Sequence, residues 1–283
     1  MKILDGKKLS EEIQSSLKDR VLRLTNEGIK PGIAVILIGD KIDSIKYVNA
    51  KKRACIALGI GFNLIEFPKD VFIDDVISEI ESLNKDDKIH GIIVQLPIPK
   101  RLDSDKILNM VTQSKDVDGF NIINAGKLYL NQLKEFLPCT PLGCIELLEH
   151  YNIDIKGMDI VIIGCSRIVG LPLSMMLLQR GATVTICHID TKNIKRHTIN
   201  ADMVISGCGV PHLVKDHWVK DGVIIIDIGI NILNGKLVGD VDYENVKSKC
   251  SYITPVPGGV GPMTISMLIK QVIESIEKKY SKL

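Results

Sequence analysis

Short β-branched runs alternate with helical patterns along most of the chain, and this alternation constrains the fold more than any other feature. Strands are predicted at IAVILIG, FNLIEF, GIIVQL, MDIVIIG, TVTIC, DMVIS and VIIIDIG (residues 33–39, 62–67, 91–96, 158–164, 183–187, 202–206 and 223–229). Alternation of strands with helices is typical of parallel α/β proteins. The runs are apolar on both faces, as expected for strands that are buried between layers of helices.

Two breaks in the pattern suggest two domains. The chain has 283 residues, of which 45% are hydrophobic, and this exceeds the length at which one core usually keeps growing. Proline and glycine interrupt the pattern at PCTPLG (138–143) and at TPVPGGVGPMT (254–264), after which ISMLIKQVIESIEKKY reads as an amphipathic helix. We therefore predict a first α/β domain of residues 1–139, completed by a returning helix at 262–283, and a second α/β domain of residues 140–261.

Composition excludes several classes of protein. A net charge of +2 without basic clusters, together with only 4% aromatic residues, disfavours nucleic acid as a partner. The seven cysteines form no close pair of the zinc-binding kind, so a reducing cytoplasm is expected. No apolar run has the length of a membrane span or of a signal peptide.

The segment 44–58 predicts a helix with one inward face. Steps of three and four residues bring Tyr47 and Lys51 to the face that also carries Val48 and Cys55, so both are expected to point to the interior or to a cleft. A buried lysine must find a partner or lose its proton, which makes Lys51 a candidate acid or base. Two plainer interpretations are open: the Lys51 stem leads its amine past the core to water, and Tyr47 is a core residue with a satisfied hydroxyl.

Two further polar residues are placed where ligands collect. Gln95 ends the buried strand GIIVQL, and ligands of open α/β sheets bind at the carboxyl ends of strands. Asp118 lies in the loop KDVDGF, where its carboxylate could accept two N–H groups of a flat heterocycle. An aspartate before glycine also commonly closes a turn, and that interpretation of Asp118 is open too.

A dinucleotide site is predicted where the strand MDIVIIG runs into residues 165–170 and then into a helical stretch. This order lays a pyrophosphate against backbone N–H groups at the start of a helix. The match to the usual glycine motif is incomplete, because Ser166 replaces the second glycine and Gly170 falls one residue late. A tight turn without a ligand is the alternative, and the order of the surrounding elements favours the dinucleotide.

The sequence leaves the choice of dinucleotide open. Asp190, just beyond the strand TVTIC, could accept ribose hydroxyls and favour NAD, whereas Arg167, His188 and Lys192 could balance the 2′-phosphate of NADP. Nearer the carboxyl end, residues 254–264 contain three glycines and three prolines, a mixture that gives a rigid loop with bare backbone. Such a loop suits the wall of a ligand site, although a plain domain crossover is the alternative.

At this point the chain resembles one family along essentially its whole length: the bifunctional methylenetetrahydrofolate dehydrogenase/cyclohydrolases. The motifs that carry the resemblance, in order, are DSIKYVNAKKRACIALGI (43–60), HGIIVQLPIP (90–99), KDVDGF (115–120), PCTPLG (138–143), IGCSRIVGLP (163–172), ATVTICH (182–188), IDIGIN (226–231) and TPVPGGVGPMT (254–264). The last of these is the most characteristic.

The resemblance implies a cleft flanked by two α/β domains, with folate held mainly by the first and NADP by a Rossmann-like second domain. The implied reactions are oxidation of 5,10-methylenetetrahydrofolate to 5,10-methenyltetrahydrofolate with NADP, and hydrolysis of that product to 10-formyltetrahydrofolate. These reactions belong to one-carbon metabolism and supply purine biosynthesis. The family also implies a homodimer formed through the cofactor domain.

The resemblance assigns roles to individual positions. Lys51 matches the central catalytic group, Tyr47 the residue that lines the folate, Gln95 the residue that tunes the lysine, and Asp118 the anchor of the pterin. Substrate-binding positions implied in this way are Ser44, Tyr47, Lys51, Val94, Gln95, Leu96, Asp118, Pro257, Gly258, Gly259, Val260, Gly261 and Pro262. Cofactor-binding positions are Gly164, Cys165, Ser166, Ile189 and Ile230.

Three positions depart from the family pattern. Asn121 stands where many relatives carry histidine, which questions a secondary contact of the folate site. Cys165 and Ile189 stand where some relatives place arginine or serine against the 2′-phosphate. NADP is therefore the expected cofactor, with NAD possible.

Three other functions are alternatives. The first is a monofunctional NAD-dependent methylenetetrahydrofolate dehydrogenase, and the second is a non-catalytic ligand-binding relative. The third is a short-chain dehydrogenase, suggested by the spacing of Tyr47 and Lys51. In that class, however, the pair follows the dinucleotide loop, whereas here it precedes the loop.

Overall fold

The computed structural model describes residues 1–132 and 136–280, and the chain divides into two compact units. One unit consists of Met1–Glu11 and Thr140–Thr264; its described residues form a sheet of six strands, and we call it the six-stranded unit. The other consists of residues 12–132, 136–139 and 265–280; its described residues form a sheet of three strands, and we call it the three-stranded unit.

The strands and helices of the described residues follow in chain order. They are β1 (Lys2–Ile3), α1 (Gly6–Asn26), β2 (Gly32–Ile38), α2 (Ile42–Ala57), β3 (Gly61–Phe67), α3 (Ile73–Lys85), β4 (Gly91–Val94), α4 (Ser104–Met110), α5 (Ile122–Tyr129), α6 (Cys139–His150), β5 (Asp159–Ile163), α7 (Gly170–Gln179), β6 (Thr183–Cys187), α8 (Ile194–Thr198), β7 (Met203–Ser206), β8 (Val223–Asp227), β9 (Asn231–Leu233), β10 (Lys236–Val238), α9 (Tyr243–Val246), β11 (Cys250–Ile253) and α10 (Val260–Tyr280). Short 3₁₀ turns lie at Asp216–Trp218 and Lys247–Lys249.

The three-stranded sheet has the order β3-β2-β4, and both pairs are parallel. Every residue of β2 and β4 is buried, because helices cover the central strand on both faces. Leu37 of β2 pairs with Glu66 of β3, and Ile36 pairs with Val94 of β4. The carboxyl ends of the three strands therefore lie at one edge, which α2 enters directly after β2.

The six-stranded sheet has the order β1-β11-β8-β7-β5-β6 and is parallel throughout. Strand β5 has β6 on one side and β7 on the other, so the direction of winding changes at β5. Ligands of open α/β sheets bind at such a switch point, outside the carboxyl ends of the strands. This parallel α/β architecture confirms the predicted fold class.

The two units differ from the predicted domains at their edges. Met1–Glu11 belongs to the six-stranded unit, because Lys2 and Ile3 pair with Tyr252 and Ile253 of β11. The predicted first domain also covers residues 133–135, and the predicted returning helix ends with residues 281–283; these two stretches lie outside the described residues.

Helix α10 begins earlier than the sequence suggests. Val260 and Gly261, which the prediction places before the returning helix at 262–283, form its first turn together with Pro262. Proline is tolerated there because the first backbone N–H groups of a helix have no acceptor within the helix. Among residues 1–132 and 136–280, no helix has both the length and the apolar character needed to cross a membrane.

Candidate active site

The central contact of the three-stranded unit joins Lys51 to Gln95. Lys51 lies on the inward face of α2 and is only 8% exposed, as its position in the helical pattern predicts. Its Nζ donates a hydrogen bond of 3.1 Å to Oε1 of Gln95, the first residue after β4. The amide of Gln95 is itself held, because its Nε2 donates to the Leu96 carbonyl at 2.8 Å and its backbone N donates to the Ile36 carbonyl at 2.8 Å. The amine of Lys51 is thus buried against a fixed, neutral acceptor.

The interpretation of Tyr47 as a core residue is wrong, which leaves the prediction that it faces a cleft. Its side chain is 39% exposed, so it lies at the margin of the inward face and is not a core residue. Partial burial, followed by the charge of Asp43, raises the pKa of the Tyr47 phenol. Ser44, one turn before Tyr47, is buried at 4% exposure. The aromatic ring is therefore available to a ligand, while Ser44 and Lys51 lie beneath it on the same helix.

The two aspartates of the loop KDVDGF differ in their hydrogen-bond partners. Asp116 is buried and accepts hydrogen bonds from the backbone N of Phe120 (3.1 Å) and Asn121 (2.8 Å) and from Nδ2 of Asn124 (2.8 Å). Burial raises the pKa of Asp116 to about 6. The turn is thus built by Asp116, a residue that the sequence analysis did not single out, and this leaves the half-buried carboxylate of Asp118 for other partners.

Asn121, noted above as a departure from the family pattern, caps helix α5. Its Oδ1 accepts from the backbone N of Ile123 at 2.8 Å, and its Nδ2 donates to the Val111 carbonyl at 2.9 Å. Both ends of its amide are therefore used in shaping the loop. The side chain is buried, so its role here is structural.

A buried thiol links Asp118 to Lys51. Sγ of Cys139 donates to the Val117 carbonyl at 3.2 Å and also contacts the Asp118 carboxylate. Burial, and then the charge of Asp118, hold the pKa of Cys139 well above its ordinary value, while the charge of Lys51 acts in the opposite direction. Asp118 and Lys51 thus both lie near Cys139 in the three-stranded unit, and Gln95 is joined to Lys51 by its hydrogen bond.

The remaining predicted folate positions fall into two groups. Val94 is buried and Leu96 is half-buried, and both flank Gln95 in the three-stranded unit. The other group lies in the six-stranded unit and consists of the loop positions Pro257, Gly258 and Gly259 and the helical positions Val260, Gly261 and Pro262.

The backbone of that loop is closely packed. Gly258 has a φ of +108° and its carbonyl accepts from the backbone N of Lys7 at 2.8 Å. A Cβ added to Gly6 would lie 1.9 Å from the Gly259 carbonyl oxygen, so the segment has no room for a side chain at Gly6. These contacts pack the loop closely against residues 6 and 7.

In the six-stranded unit, the predicted dinucleotide turn follows β5 at the switch point. Gly164 has a φ of +120°, and its backbone N donates to the Cys187 carbonyl at 2.8 Å. A Cβ added to Gly170 would lie 1.9 Å from the Gly164 carbonyl oxygen, so the turn closes only because both positions lack a side chain. Cys165 and Ser166 are exposed at the tip, and helix α7 begins at Gly170. This bare, tight backbone fits a pyrophosphate.

The neighbouring strand ends carry exposed apolar residues. Ile189 follows β6 and is 97% exposed, and Ile230 follows β8 and is 45% exposed. Asp190 extends into solvent, and its Oδ2 lies 3.6 Å from Nδ1 of His188. Exposed isoleucines at the carboxyl edge of a parallel sheet are suited to contact the flat rings of a dinucleotide.

Sequence reasoning missed Asp116, Cys139 and two buried carboxylates of the six-stranded unit, Asp227 and Asp240. Asp116 could have been found, since an aspartate three residues before a glycine often opens a turn. Cys139, Asp227 and Asp240 carry no such local signal, because most of their partners are distant in the sequence.

Comparisons with known proteins agree with this geometry. Residues 4–118 match the family model described as "Tetrahydrofolate dehydrogenase/cyclohydrolase, catalytic domain", and residues 138–280 match "Tetrahydrofolate dehydrogenase/cyclohydrolase, NAD(P)-binding domain". The chain is 53% identical over 276 residues to a "Bifunctional protein FolD" of Nautilia profundicola, with 97% of each chain covered.

Solved structures give the same result. The crystal structure of the bifunctional FolD enzyme of Campylobacter jejuni matches with a TM-score of 0.97 and 48% identity over 99% of each chain. A Trypanosoma brucei methylenetetrahydrofolate dehydrogenase-cyclohydrolase, complexed with NADP and an inhibitor, matches with a TM-score of 0.93 and 34% identity over 97% of each chain.

Proposed function

The chain belongs to the tetrahydrofolate dehydrogenase/cyclohydrolase family, and from that premise we propose how its residues divide two reactions between them. It is a bifunctional enzyme of one-carbon metabolism. It oxidises 5,10-methylenetetrahydrofolate to the methenyl form with NAD(P) as cofactor, and it hydrolyses the methenyl form to 10-formyltetrahydrofolate. The proposal concerns which side chains act in each step.

The hydrolytic step is assigned to Lys51, and the observation that carries this assignment is its hydrogen bond to Gln95. Hydrolysis of the methenyl group adds water to a cationic carbon and then opens the ring, so protons must leave the water and reach a ring nitrogen. A side chain that moves them must be held in place and must be able to accept a proton and give it up again. The amine of Lys51 meets this need, because a neutral amide 3.1 Å away orients it without pairing it with a negative charge.

Substrate binding is assigned to the groups around Lys51. Asp118 would accept N–H groups of the pterin, since Asp116 already builds the turn. Tyr47, with its ring at the helix surface, would pack on the folate, and Ser44, Val94 and Leu96 would line the site. The rigid segment from Pro257 to Pro262 would supply further contacts, which its fixed backbone favours.

Cofactor binding is assigned to the turn after β5. The bare backbone at Gly164, Cys165 and Ser166 would hold the pyrophosphate, and Ile189 and Ile230 would contact the rest of the dinucleotide. NADP, when bound, supplies the ring that accepts a hydride from the folate carbon. The chain contributes position to this step, and placing the reactants accounts for much of such catalysis.

The assignment of Lys51 is tested by Lys51→Met. Cyclohydrolase turnover should fall below detection, while folate binding, measured by calorimetry, should remain. Lys52→Met is the matched control, because Lys52 is the next residue of α2 and its side chain is exposed. Hydrolysis of methenyltetrahydrofolate by Lys51→Met at the rate of the control would remove Lys51 from this role.

We also propose that the enzyme is a cytoplasmic homodimer. All seven cysteines are free thiols, as expected of a protein from a reducing compartment. Ile232, Leu233 and Leu237 are exposed on the β9–β10 hairpin and offer an apolar surface to a second copy. Sedimentation equilibrium of the purified chain tests the dimer, and a monomer at micromolar concentration would contradict it.

A further inference from the structure

Asp240 is a fully buried carboxylate of the six-stranded unit, and it has no role in the substrate, cofactor or catalytic assignments above. Asp240 lies between β10 and α9 and is 0% exposed. Its Oδ2 accepts hydrogen bonds from Ser206 Oγ (3.1 Å), Cys208 N (2.7 Å), Cys208 Sγ (3.3 Å) and Gly209 N (3.1 Å), and its Oδ1 accepts one from Asn231 Nδ2 (2.8 Å). All of these donors are neutral. A carboxylate that is surrounded in this way fixes the positions of the groups that donate to it.

A second buried carboxyl group holds Asp240 itself. Asp227, the last residue of β8, accepts from the backbone N of Gly229 (2.9 Å), Asp240 (3.0 Å) and Val241 (2.9 Å). The packing admits no side chain here, because a Cβ on Gly239 would lie 1.8 Å from Oδ2 of Asp227 and a Cβ on Gly229 would lie 2.1 Å from Oδ1 of Asp240. The backbone of Asp240 is therefore held by Asp227, and the side chain of Asp240 is closely packed by the neighbouring glycines.

The segment that Asp240 holds is in contact with the dinucleotide turn. Residues 206–209 comprise the last residue of β7 and the three residues after it, and β7 is the neighbour of β5 at the switch point. A Cβ on Gly164 would meet the Gly207 carbonyl oxygen at 2.6 Å and the Cys208 backbone N at 3.4 Å. Any shift of residues 207–208 would thus be transmitted to Gly164. On the other side, Asn231 directly follows Ile230, the predicted cofactor contact after β8.

We propose that Asp240 is a positioning residue of the dinucleotide site, holding the segment 206–209 and the segment around Ile230 in the arrangement that binds NADP. The inference rests on the proposed cofactor site at Gly164, Cys165, Ser166, Ile189 and Ile230. Asp240 acts through its neighbours and does not touch the cofactor. Its effect should therefore fall on NADP affinity and on the dehydrogenase reaction.

The enzyme's second reaction separates this role from a merely structural one. Hydrolysis of methenyltetrahydrofolate needs no hydride acceptor, so a variant with a displaced dinucleotide site keeps it. A variant that is simply less folded loses both reactions in the same proportion. The ratio of the two activities in one preparation is thus a readout that a general loss of folded protein does not change.

The test compares Asp240→Ala, Asp240→Asn and a matched control. Asp202→Ala is the control. Asp202 also accepts hydrogen bonds at a strand end, from Asp159 N at 2.8 Å and from Lys220 Nζ at 2.6 Å. It lies just before β7, at the amino ends of the strands of the same sheet. The Kd for NADP is measured by calorimetry, and both activities are measured on each preparation. For Asp240→Ala we expect the Kd and KM for NADP to rise about tenfold or more, with cyclohydrolase kcat changed by less than about twofold.

Asp240→Asn and Asp202→Ala give two further expectations for NADP binding. Asp240→Asn keeps an oxygen for Cys208 N and Gly209 N and should weaken NADP binding less than Asp240→Ala. Asp202→Ala should leave the Kd for NADP unchanged. Folded Asp240→Ala that binds NADP as the unmodified chain does would overturn the proposal.

Two other results are possible: Asp240→Ala does not fold, or the unmodified chain does not bind NADP. If Asp240→Ala does not fold, Asn231→Ala removes only the bond to Oδ1, and unchanged NADP affinity in both Asn231→Ala and Asp240→Asn would then overturn the inference. An unmodified chain that itself fails to bind NADP would instead contradict the proposed cofactor site.

Discussion

The buried carboxyl of Asp227 should make the stability of the six-stranded unit depend on pH in an unusual direction. Asp227 is 4% exposed, and burial raises its pKa from 3.8 to about 7, against the opposing effect of its backbone N–H donors. A raised carboxyl pKa means that the folded chain holds a proton that the unfolded chain has released. Asp227 therefore lowers stability as the pH rises through this interval.

The size of the effect follows from the two pKa values. Below about pH 4 the group is protonated in both states and contributes nothing. Between pH 3.8 and about 7 the free energy of unfolding decreases, and above pH 7 the loss reaches about 4 kcal/mol, at about 1.4 kcal/mol for each pH unit. The variant Asp227→Asn is neutral at every pH, so it carries only a constant offset from its altered hydrogen bonds.

The assay is urea unfolding at pH 5 and pH 8, followed by tryptophan fluorescence. Trp218 is the one tryptophan of the chain and packs on the core of the six-stranded unit, so its signal reports that unit. Relative to the unmodified chain, Asp227→Asn should gain about 3 kcal/mol between pH 5 and pH 8, because only the part of the interval from pH 5 to about 7 contributes. An equal stability difference at the two pH values would refute the reasoning.

Asp202→Asn is the control for this experiment. A hydrogen bond from Lys220, followed by one from the backbone N of Asp159, lowers the pKa of Asp202. Its stabilising effect is therefore present above about pH 4 and is lost only as the pH falls through the lowered value. Between pH 5 and pH 8 the stability difference between this variant and the unmodified chain should stay constant.

Two predictions concern the sites directly. Gln95→Met removes the acceptor of the Lys51 amine, so cyclohydrolase kcat should fall roughly 100-fold in a spectroscopic assay of methenyl decay, while calorimetry should show unchanged NADP affinity; hydrolysis at the original rate would show that Lys51 needs no orientation. Asp190→Asn removes an exposed negative charge beyond β6, so the ratio of kcat/KM with NADP to that with NAD should rise about three- to tenfold at low salt; an unchanged ratio would place the 2′-phosphate away from Asp190.

The strands that are easiest to predict are those buried on both faces. The apolar runs of β2, β5, β7 and β8 are continuous, because helices cover both faces of each sheet, and the sequence identifies all four. Strand β1 is different. It contains two residues, and its extended form depends on pairing with Tyr252 and Ile253 at the far end of the chain. The residues around β1 in the sequence do not indicate this distant partner strand.

Helix α2 shows which side chains helical periodicity predicts to be buried and which it leaves undecided. Val48, Lys51 and Cys55 are buried as the pattern predicts. At about 100° per residue, Tyr47 lies roughly 60° from the buried Ser44, at the margin of the apolar stripe. Periodicity alone does not decide whether a residue at the margin is covered, since that depends on what packs beside the helix. Here nothing covers Tyr47 fully, and 39% of it is exposed.

The site could be predicted where a general rule connects distant residues, and not elsewhere. Lys51 and Gln95 are 44 residues apart, yet the sequence predicts both as site residues, because one faces the interior or a cleft from α2 and the other ends a parallel strand where ligands bind. Asp240 has no equivalent rule, since its hydrogen bonds reach residues 206–209 through a loop whose course the local sequence does not determine.

The two units use different parts of the chain for their chemistry, and this explains why the two activities should be separable by substitution. In the proposed assignment, Lys51, Gln95 and Asp118 of the three-stranded unit act through side chains, as a reaction that moves protons requires. In the six-stranded unit, the turn at Gly164 acts through bare backbone, as a step that mainly needs position requires. Removing a side chain therefore directly impairs hydrolysis, whereas the dinucleotide site is sensitive to residues such as Asp240 that fix its backbone.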